Sequence, residues 1–477
     1  MPNQMQEEQI DISDKTKIPL KRVLGLPTGI LMVAGIMIGS GVFKKIAPMS
    51  ATLMSEPYIL AAWIIAGIFT IFGAFMVAGL ATTTTESGGV YEYLRLSVGN
   101  FFSFIYGWTA FTILGSGSIA ALAFIFAQSL NTLVHIPEPL AGLAHISIGN
   151  FIFPFASSGV KIVAVIVTCL LTWVNYRGTK NGGVLNNIVT TAKILGILML
   201  IVLGLFYSNA ETLQQANAAS AIPFSATALF SALFGAMLSA LWAYDGWANI
   251  SCIAGEIKEP KRNLPIAIIA GVGIAMALYV LLNYAFMQVL SLSELAAIDE
   301  NHIAAAEVAG VLMGKTGTVL ISVLIMTCTL GALNVCVIVY PRIYFRMAQE
   351  NFFFKNVANV HPTFRTPYIS LIWSMIWSCI LIVTGTFDLL TNLVVFAGFF
   401  FYVLLAWGLV RMKRKGLITV KLMGYPAVPV IVILFSIIII VNTVIVQPEQ
   451  SLTGLLLMFS GVPFYYYFKK KYATVRA

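Results

Sequence analysis

Small and polar residues interrupt two long apolar stretches of the sequence. The stretch GILMVAGIMIGSGVF carries Gly39, Ser40 and Gly41, and the stretch SALWAYDGWANISCIAGEI carries Asp245 followed by Gly246. Glycine costs roughly 1 kcal/mol against alanine inside a helix, and an aspartate within a membrane helix is costly unless it faces a cavity or a partner. We therefore predict a broken helix at each place, with close packing of small residues as the alternative.

Helix breaks of this kind supply their own binding chemistry. They free backbone groups that have to find partners where water is scarce. The N-terminal end of a half-helix presents N–H groups and a positive dipole, which suit a carboxylate. Freed carbonyl oxygens accept hydrogen bonds from an ammonium group. Two such breaks side by side predict a site for the main chain of a zwitterionic amino acid, with selectivity left to the pocket walls.

Lys193 is a basic residue inside a third apolar stretch, NNIVTTAKILGILMLIVLGL. A lysine at such a position often extends its side chain to the membrane surface. Alternatively, a buried lysine joins neighbouring helices at a functional place. The residue alone leaves both interpretations open.

These residues lie in a chain built mostly of apolar runs. Its 477 residues are 59% hydrophobic and 10% charged, whereas soluble domains are about 45–50% apolar and about 25% charged. A soluble enzyme and a disordered chain are therefore excluded. Runs long enough to cross a bilayer occur at 23–46, 58–83, 99–130, 158–176, 185–208, 227–255, 263–290, 315–345, 367–386, 388–411, 422–446 and 452–468. The predicted fold class is an all-α membrane protein with twelve transmembrane helices.

The charge distribution predicts the orientation of these helices. With twelve runs both termini lie on one side, where 23 Lys and Arg residues gather, against 4 on the other. Basic residues concentrate in cytoplasmic loops, so both termini are predicted to be cytoplasmic. The net charge of +9 then reflects these loops and does not indicate nucleic-acid binding.

The two breaks fall in the first and sixth runs, which is typical of a five-plus-five inverted repeat. The predicted organisation has an N-terminal tail, two repeats, two further helices and a C-terminal tail. Their bounds are 1–22, 23–208, 227–411, 422–468 and 469–477.

Sequence signatures of other function classes are absent. The sequence has no HExxH or Cys-x-x-Cys cluster and no complete phosphate-binding GxxxxGK[ST] motif, so neither a metal nor another cofactor is predicted. A catalytic residue is not predicted either, which leaves a polytopic membrane enzyme as the weaker alternative to a secondary transporter.

Four motifs carry a family resemblance: GIMIGSGVF at 35–43, ESGGVYEYL at 86–94, TAKILGIL at 191–198 and WAYDGWANISCIAGEIKEPKRNLP at 242–265. The sequence resembles the amino acid–polyamine–organocation transporter superfamily, and more closely a prokaryotic member of its L-type amino acid transporter family. The resemblance implies amino acid transport across the plasma membrane by alternating access, often by exchange.

The resemblance also implies a substrate site made by both broken helices. Its predicted members are Met37, Gly39, Ser40, Gly41, Trp242 and Asp245. The glycines and the serine match the motif that holds the substrate carboxylate. Carbonyl groups of the other three match those that contact the ammonium, and the side chains of Trp242 and Asp245 would lie near the substrate side chain.

Sodium independence follows from the same resemblance. In many sodium-independent relatives a fifth-helix lysine occupies the place where sodium binds in sodium-coupled ones, and Lys193 matches it. This lysine would tie the fifth helix to the first and eighth. The apolar walls predict neutral L-amino acids as substrates, while Asp245 leaves cationic substrates open as an alternative. Proton coupling is open as well, because a buried lysine such as Lys193 can carry a coupling proton.

A disulfide-linked heavy chain is not expected as a partner. Animal relatives use a cysteine after the third helix for that bond, and the loop NTLVHIPEPLAGLAHISIGNFIFPFASSG contains none. The expected partners are the amino acid substrate and membrane lipid.

Two further segments have competing interpretations. Residues 291–315 form either a surface helix or lid on the outer face or a solvated loop. The aromatic stretch from Phe396 to Tyr402 is interpreted as packing or lipid contact, with a pocket wall as the alternative.

Overall fold

The computed structural model describes residues 24–84, 88–147, 153–177, 182–207, 225–299, 302–364 and 366–473. Within these ranges the regular secondary structure is helical, apart from an isolated β-bridge between Leu24 and Ile257. The all-α class is therefore confirmed for the described part of the chain. The predicted N-terminal tail, 1–22, lies outside the described residues, as do residues 474–477 of the predicted C-terminal tail.

Helices coincide with all twelve apolar runs, which we call segments 1 to 12 in chain order. Segment 1 comprises Leu26–Met37, Gly41–Lys44 and Ile46–Leu53; segment 2 is Glu56–Ala81; segment 3 comprises Asn100–Thr109, the π-helical turn Ala110–Leu114 and Gly115–Leu133; segment 4 is Ser158–Tyr176; segment 5 is Gly182–Leu205; and segment 6 comprises Ala226–Ala243 and the 3₁₀ helix Trp247–Glu256. Segment 7 is Pro260–Val289, segment 8 is Ala304–Gln349, segment 9 is Tyr368–Thr384, segment 10 is Phe387–Arg414, segment 11 is Ala427–Val446, and segment 12 comprises Pro448–Phe459 and Gly461–Ala473. Shorter helices between segments are Val90–Ser97, Ala141–Leu143, Leu292–Ala297 and Lys355–Ala358.

Nine helical stretches of the described residues are long and apolar enough to cross a membrane. They correspond to segments 2 to 8, 10 and 11. Segments 1 and 9 contain the shorter apolar helices Leu26–Met37 and Tyr368–Thr384, and segment 12 is divided at Ser460. The full count of twelve spans therefore remains a prediction.

Local sequence explains several helix ends. Pro27, Pro57 and Pro260 lie in the first turns of segments 1, 2 and 7, where a missing backbone N–H costs little. Segment 10 ends where Gly416 adopts φ +73°, and the Leu417 N–H returns to a carbonyl of the last turn at 3.1 Å. This is the left-handed glycine cap that commonly terminates helices.

The segments pack into two groups of four. Segments 1, 2, 6 and 7 contact one another, and so do segments 3, 4, 8 and 9, with the most extensive contacts between segments 3 and 8, 2 and 7, and 1 and 7. Segments 5 and 10 contact members of both groups, and segment 11 packs on segment 10.

The π-helical turn of segment 3 is tied to the helices around it. A π turn shifts carbonyl groups out of the regular hydrogen-bond pattern. The carbonyl of Ala110 accepts from the Tyr344 hydroxyl at 2.9 Å, and that of Thr112 accepts from the Trp377 indole at 2.9 Å. These bonds join segment 3 to segments 8 and 9 in the middle of their group.

The predicted outer segment, 291–315, is largely helical in its described residues. A capping box, in which Ser291 and Glu294 bond each other's backbone N–H groups, starts the helix Leu292–Ala297. Ala304 begins segment 8, which turns at Gly314 with φ +63°. The helical interpretation is therefore confirmed over the loop interpretation for these stretches, and their place on the outer face stays a prediction.

Candidate functional site

Segment 1 is broken where the glycines predict it. The helix ends at Met37, and regular helix resumes at Gly41. The Gly39 N–H donates to the Met37 carbonyl at 2.7 Å, a short turn that replaces the helical hydrogen-bond pattern. Since the first N–H groups of a helix have no acceptor within it, the residues from Gly41 onward begin a half-helix with donors to offer.

Segment 6 is broken at the aspartate–glycine pair. Its helix ends at Ala243, and a 3₁₀ helix begins at Trp247. Gly246 between them has φ +98°, a left-handed conformation that glycine adopts without strain. The Ala243 carbonyl freed by the break accepts from the Tyr279 hydroxyl of segment 7 at 3.1 Å.

The two breaks lie directly against each other. A Cβ atom on Gly41 would lie 2.5 Å from the Cα atom of Ala243, and one on Gly246 would lie 2.5 Å from a methyl carbon of Ile36. The indole N–H of Trp242 donates to the Ser40 hydroxyl at 3.2 Å, and both side chains are buried. Glycine at these crossings is what lets the backbones of segments 1 and 6 meet.

A cavity of 40 Å³ lies where the breaks meet. Its lining includes every predicted member of the substrate site, namely Met37, Gly39, Ser40, Gly41, Trp242 and Asp245. Segments 3 and 8 form the opposite wall, and the residues that they contribute are Ser118, Leu122, Ala332, Cys336 and Tyr340. The cavity therefore lies between the two groups of segments.

Sequence reasoning missed this opposite wall. Ser118 belongs to the cluster GSGSIA, whose small residues were a usable signal for a place where something else fits against segment 3. Asn249 was missed as well, although it follows Asp245 within the same broken helix and lines the cavity. Leu122 and Ala332 carry no signal that separates a cavity wall from ordinary packing.

Asp245 lies between this cavity and a second one of 60 Å³. Cys336 and Tyr340 line the first cavity together with it, and Tyr402 lines the second. None of the ion pairs found among the described residues includes Asp245. An acidic group thus faces the enclosed space without a cationic partner in the described part of the chain.

The second cavity changes the interpretation of the aromatic stretch in segment 10. Phe399 and Tyr402 line it, although the stretch was interpreted as packing. Phe399 also stacks on Phe69, with ring centroids 5.3 Å apart. These rings therefore pack in the core and form a cavity wall at once, and the packing interpretation was incomplete.

Lys193 reaches the break in segment 1. Its ammonium donates to the carbonyl of Gly35 at 3.0 Å and to that of Ile38 at 3.2 Å, and the residue is 2% exposed. Gly331 of segment 8 lies alongside, since a Cβ atom there would lie 3.7 Å from the ammonium nitrogen. The side chain is thus directed at the break and not at the membrane surface.

A buried polar layer lies beside the cavity, at its predicted outer end. Lys45 forms an ion pair with Asp388 at 2.5 Å, although Lys45 is only 1% exposed. The ammonium groups of Lys44 and Lys45 each lie 4.7 Å from the ring centre of Phe387, which in turn contacts Trp242 edge-on. This layer connects segment 1 to segment 10 above the breaks.

Comparison with known proteins gives the chain its family. A model of the family described as amino acid permease matches residues 24–467. The chain belongs to the amino acid permease family. This confirms the predicted superfamily, and it makes the permease a multi-pass membrane transporter of amino acids and not an enzyme.

Curated relatives cover nearly the whole permease. The serine/threonine exchanger SteT of Bacillus subtilis (strain 168) is 31% identical over 463 residues, which is 95% of this chain and 98% of that protein. The b(0,+)-type amino acid transporter 1 of Mus musculus is 28% identical, over 94% of this chain and 88% of that protein. The large neutral amino acids transporter small subunit 2 of Homo sapiens is 26% identical, over 94% and 81%.

Proposed function

We propose that this permease is a sodium-independent exchanger of amino acids that works by alternating access, with neutral L-amino acids as its main substrates. The observation that carries the proposal is the Lys193 ammonium, which donates to the Gly35 and Ile38 carbonyls at the break in segment 1. A cation that belongs to the protein already meets the carbonyl oxygens there, so the break needs no sodium to satisfy them.

The substrate main chain would bind between the two breaks. Backbone N–H groups around Gly39, Ser40 and Gly41 would hold the carboxylate. Carbonyl groups of Met37 and Trp242 would hold the ammonium. Each of these carbonyls already accepts one bond within its break, and each oxygen keeps a second lone pair for a substrate donor.

The substrate class and the exchange mode are supported by the cavity walls and by the relatives. The walls of the cavity at the breaks are largely apolar, with Met37, Leu122 and Trp242 among them, and burial of each CH₂ group of a neutral side chain against them contributes about 0.8 kcal/mol. A relative named as a serine/threonine exchanger supports both small substrates and the exchange mode.

The proposed architecture has twelve spans with a five-plus-five inverted repeat, formed by 23–208 and 227–411, and cytoplasmic termini in the plasma membrane. Packing supports the repeat, because each contact has a counterpart when every segment is exchanged for the one five places before or after it in the other repeat. Segment 1 packs on 7 and 5, and segment 6 packs on 2 and 10; segment 3 packs on 4, and segment 8 packs on 9. No disulfide-linked heavy chain is proposed, because the loop after segment 3 has no cysteine.

Counterflow in proteoliposomes tests this function. Vesicles preloaded with unlabelled serine or leucine should take up the labelled amino acid far faster than empty vesicles. Choline in place of sodium should leave the rate unchanged. Equal uptake by empty vesicles would remove the exchange mode, and a steep sodium requirement would remove the role given to Lys193.

Cationic substrates are the second candidate, and Asp245 favours them. Its carboxylate lies between two cavities and takes part in no ion pair among the described residues, so a lysine or arginine substrate would find an anion there. A competition panel against one labelled neutral amino acid decides the matter. Inhibition by arginine that disappears in Asp245→Asn would identify cationic amino acids as substrates. Inhibition by neutral amino acids alone in both proteins would support neutral substrates.

The same vesicles distinguish proton-coupled uptake from exchange without proton coupling. If Asp245 carries a coupling proton, an inward proton gradient should accelerate uptake by the wild type and leave Asp245→Asn unaffected. Exchange without proton coupling predicts equal rates with and without the gradient in both proteins.

A further inference from the structure

A basic cavity lies apart from the substrate site, where segment 10 ends. It has a volume of 160 Å³ and lies between the last turn of segment 10 and the short helix Val90–Ser97. Arg95, Arg411 and Lys415 line it. The predicted topology places this cavity at the cytoplasmic edge of the membrane, so the inference below rests on the proposed orientation and on no part of the substrate assignment.

In the described part of the chain, acidic residues pair with only one of the three basic residues that line this cavity. Arg95 is paired with Glu92 through two bonds, of 2.6 and 2.9 Å, and Glu92 is 2% exposed. Arg411 and Lys415 are exposed, and neither takes part in an ion pair among the described residues. The cavity therefore offers two positive charges beyond the Arg95–Glu92 pair.

Recognition in this cavity has to come from side chains. The N–H groups of Gly416 and Leu417 are bound to carbonyls of the last turn of segment 10, and the Gly99 N–H is bound to the Leu94 carbonyl. The backbone thus has no donor to spare at these three positions. Lys413, in the same turn as Arg411, is also committed, because its ammonium donates to two loop carbonyls at 2.9 Å.

Stabilisation of the helix end explains only part of this arrangement. Basic residues in a last turn interact favourably with the helix dipole, which accounts for Arg411 and for Arg95, each in the last turn of its own helix, but not for the cavity that the two helix ends enclose together. Two leucines also line the cavity, and they are open to the surroundings, Leu96 at 43% and Leu417 at 58% exposure. Cations next to exposed apolar side chains at a membrane edge match a molecule that has an anionic head and an apolar tail.

We propose that this cavity binds the phosphate group of an anionic phospholipid of the inner leaflet. Arg411 and Lys415 contact the phosphate, Arg95 in its pair with Glu92 lines the opposite side, and Leu96 and Leu417 contact the first carbons of the acyl chains. Basic pockets on the cytoplasmic side of membrane helices are suited to such head groups.

The test uses purified full-length protein in detergent and measures its thermal stability during titration with phosphatidylglycerol, phosphatidylcholine or inorganic phosphate. A ligand that binds the folded state raises the unfolding temperature in proportion to its affinity. The test variant is Arg411→Gln/Lys415→Gln. The matched control is Arg414→Gln/Lys421→Gln, which removes the same charge from exposed residues outside the cavity.

We expect phosphatidylglycerol to stabilise the wild type and the control equally. The test variant should bind it at least about 100-fold more weakly, since each of the two charge-assisted bonds to the phosphate that it loses contributes about tenfold or more in affinity, whereas the control loses neither. Equal weakening in both variants would show general surface charge instead of a site. Equal stabilisation by phosphatidylcholine, or by inorganic phosphate at the same concentration, would also overturn the lipid assignment. None of these results depends on transport.

Discussion

Replacing Lys193 with methionine removes the ammonium and keeps most of the side-chain volume. Two buried carbonyls, those of Gly35 and Ile38, then lose donors at 3.0 and 3.2 Å. A hydrogen bond to a charged group contributes about 1.5–3 kcal/mol, so the two together contribute on the order of 3–6 kcal/mol to this geometry. Even the lower figure corresponds to a change of more than about 100-fold in an equilibrium constant.

We expect this loss to appear at the proposed substrate site, because the same turn of segment 1 would carry the donors for the carboxylate. The concentration dependence of counterflow should show a strongly raised KM in Lys193→Met. Lys161→Met is the matched control, since Lys161 is another buried lysine whose ammonium donates to carbonyls, at 2.6 Å to Phe153 and 2.9 Å to Val383. Lys161 lines neither of the two cavities at the breaks.

The control should lose thermal stability and keep its KM. A wild-type KM in Lys193→Met would refute the reasoning, because the ammonium would then stabilise the fold without shaping the site. The same conclusion would follow if Lys161→Met raised the KM to an equal extent.

Two further perturbations address the contacts around the breaks. Gly41→Ala should lower the unfolding temperature and abolish uptake, because its Cβ would lie 2.5 Å from a backbone atom of segment 6 and overpacking costs about 1–3 kcal/mol. Gly39→Ala is the control. Its Cβ would lie 3.7 Å from the nearest atom, so it should keep the stability of the wild type. Equal stability of the two variants would show that the crossing tolerates a methyl group. Asp388→Asn leaves the buried Lys45 ammonium without its anion, which costs up to about 3–5 kcal/mol, so the unfolding temperature should fall, and Lys45→Met added to it should restore part of the loss. A double variant no more stable than Asp388→Asn would show that the unpaired Lys45 ammonium contributes little to the loss of stability.

Much of the site was accessible from the sequence because helix breaks need unusual residues. Gly39, Gly41 and Asp245 stand out against apolar runs, and all three line the cavity at the breaks. The positions of the segments were accessible for a similar reason, since the length of an apolar run fixes where a helix can cross.

The opposite wall was not accessible in the same way. In segment 3, 94% of the residues in the most apolar window are buried, so the helix is surrounded on all its faces, and no periodic pattern marks the side on which Leu122 meets the cavity. The Lys193 ammonium binds carbonyls 158 and 155 positions away along the chain, and the Lys45–Asp388 pair joins residues 343 positions apart. Such contacts follow from the packing of the whole molecule.

The cavity at the breaks lies between the two groups of segments, so the size of a bound substrate would affect how closely the two groups can approach each other. Trp242 belongs to one group, and Leu122 and Ala332 belong to the other, so a substrate side chain bound there, as proposed, would act as a spacer between them. An amino acid whose side chain exceeds that gap would keep its main-chain bonds and wedge the groups apart. A series of increasingly bulky analogues should therefore divide sharply into transported substrates and inhibitors that bind without being transported. The second group would be the starting point for inhibitors of the permease.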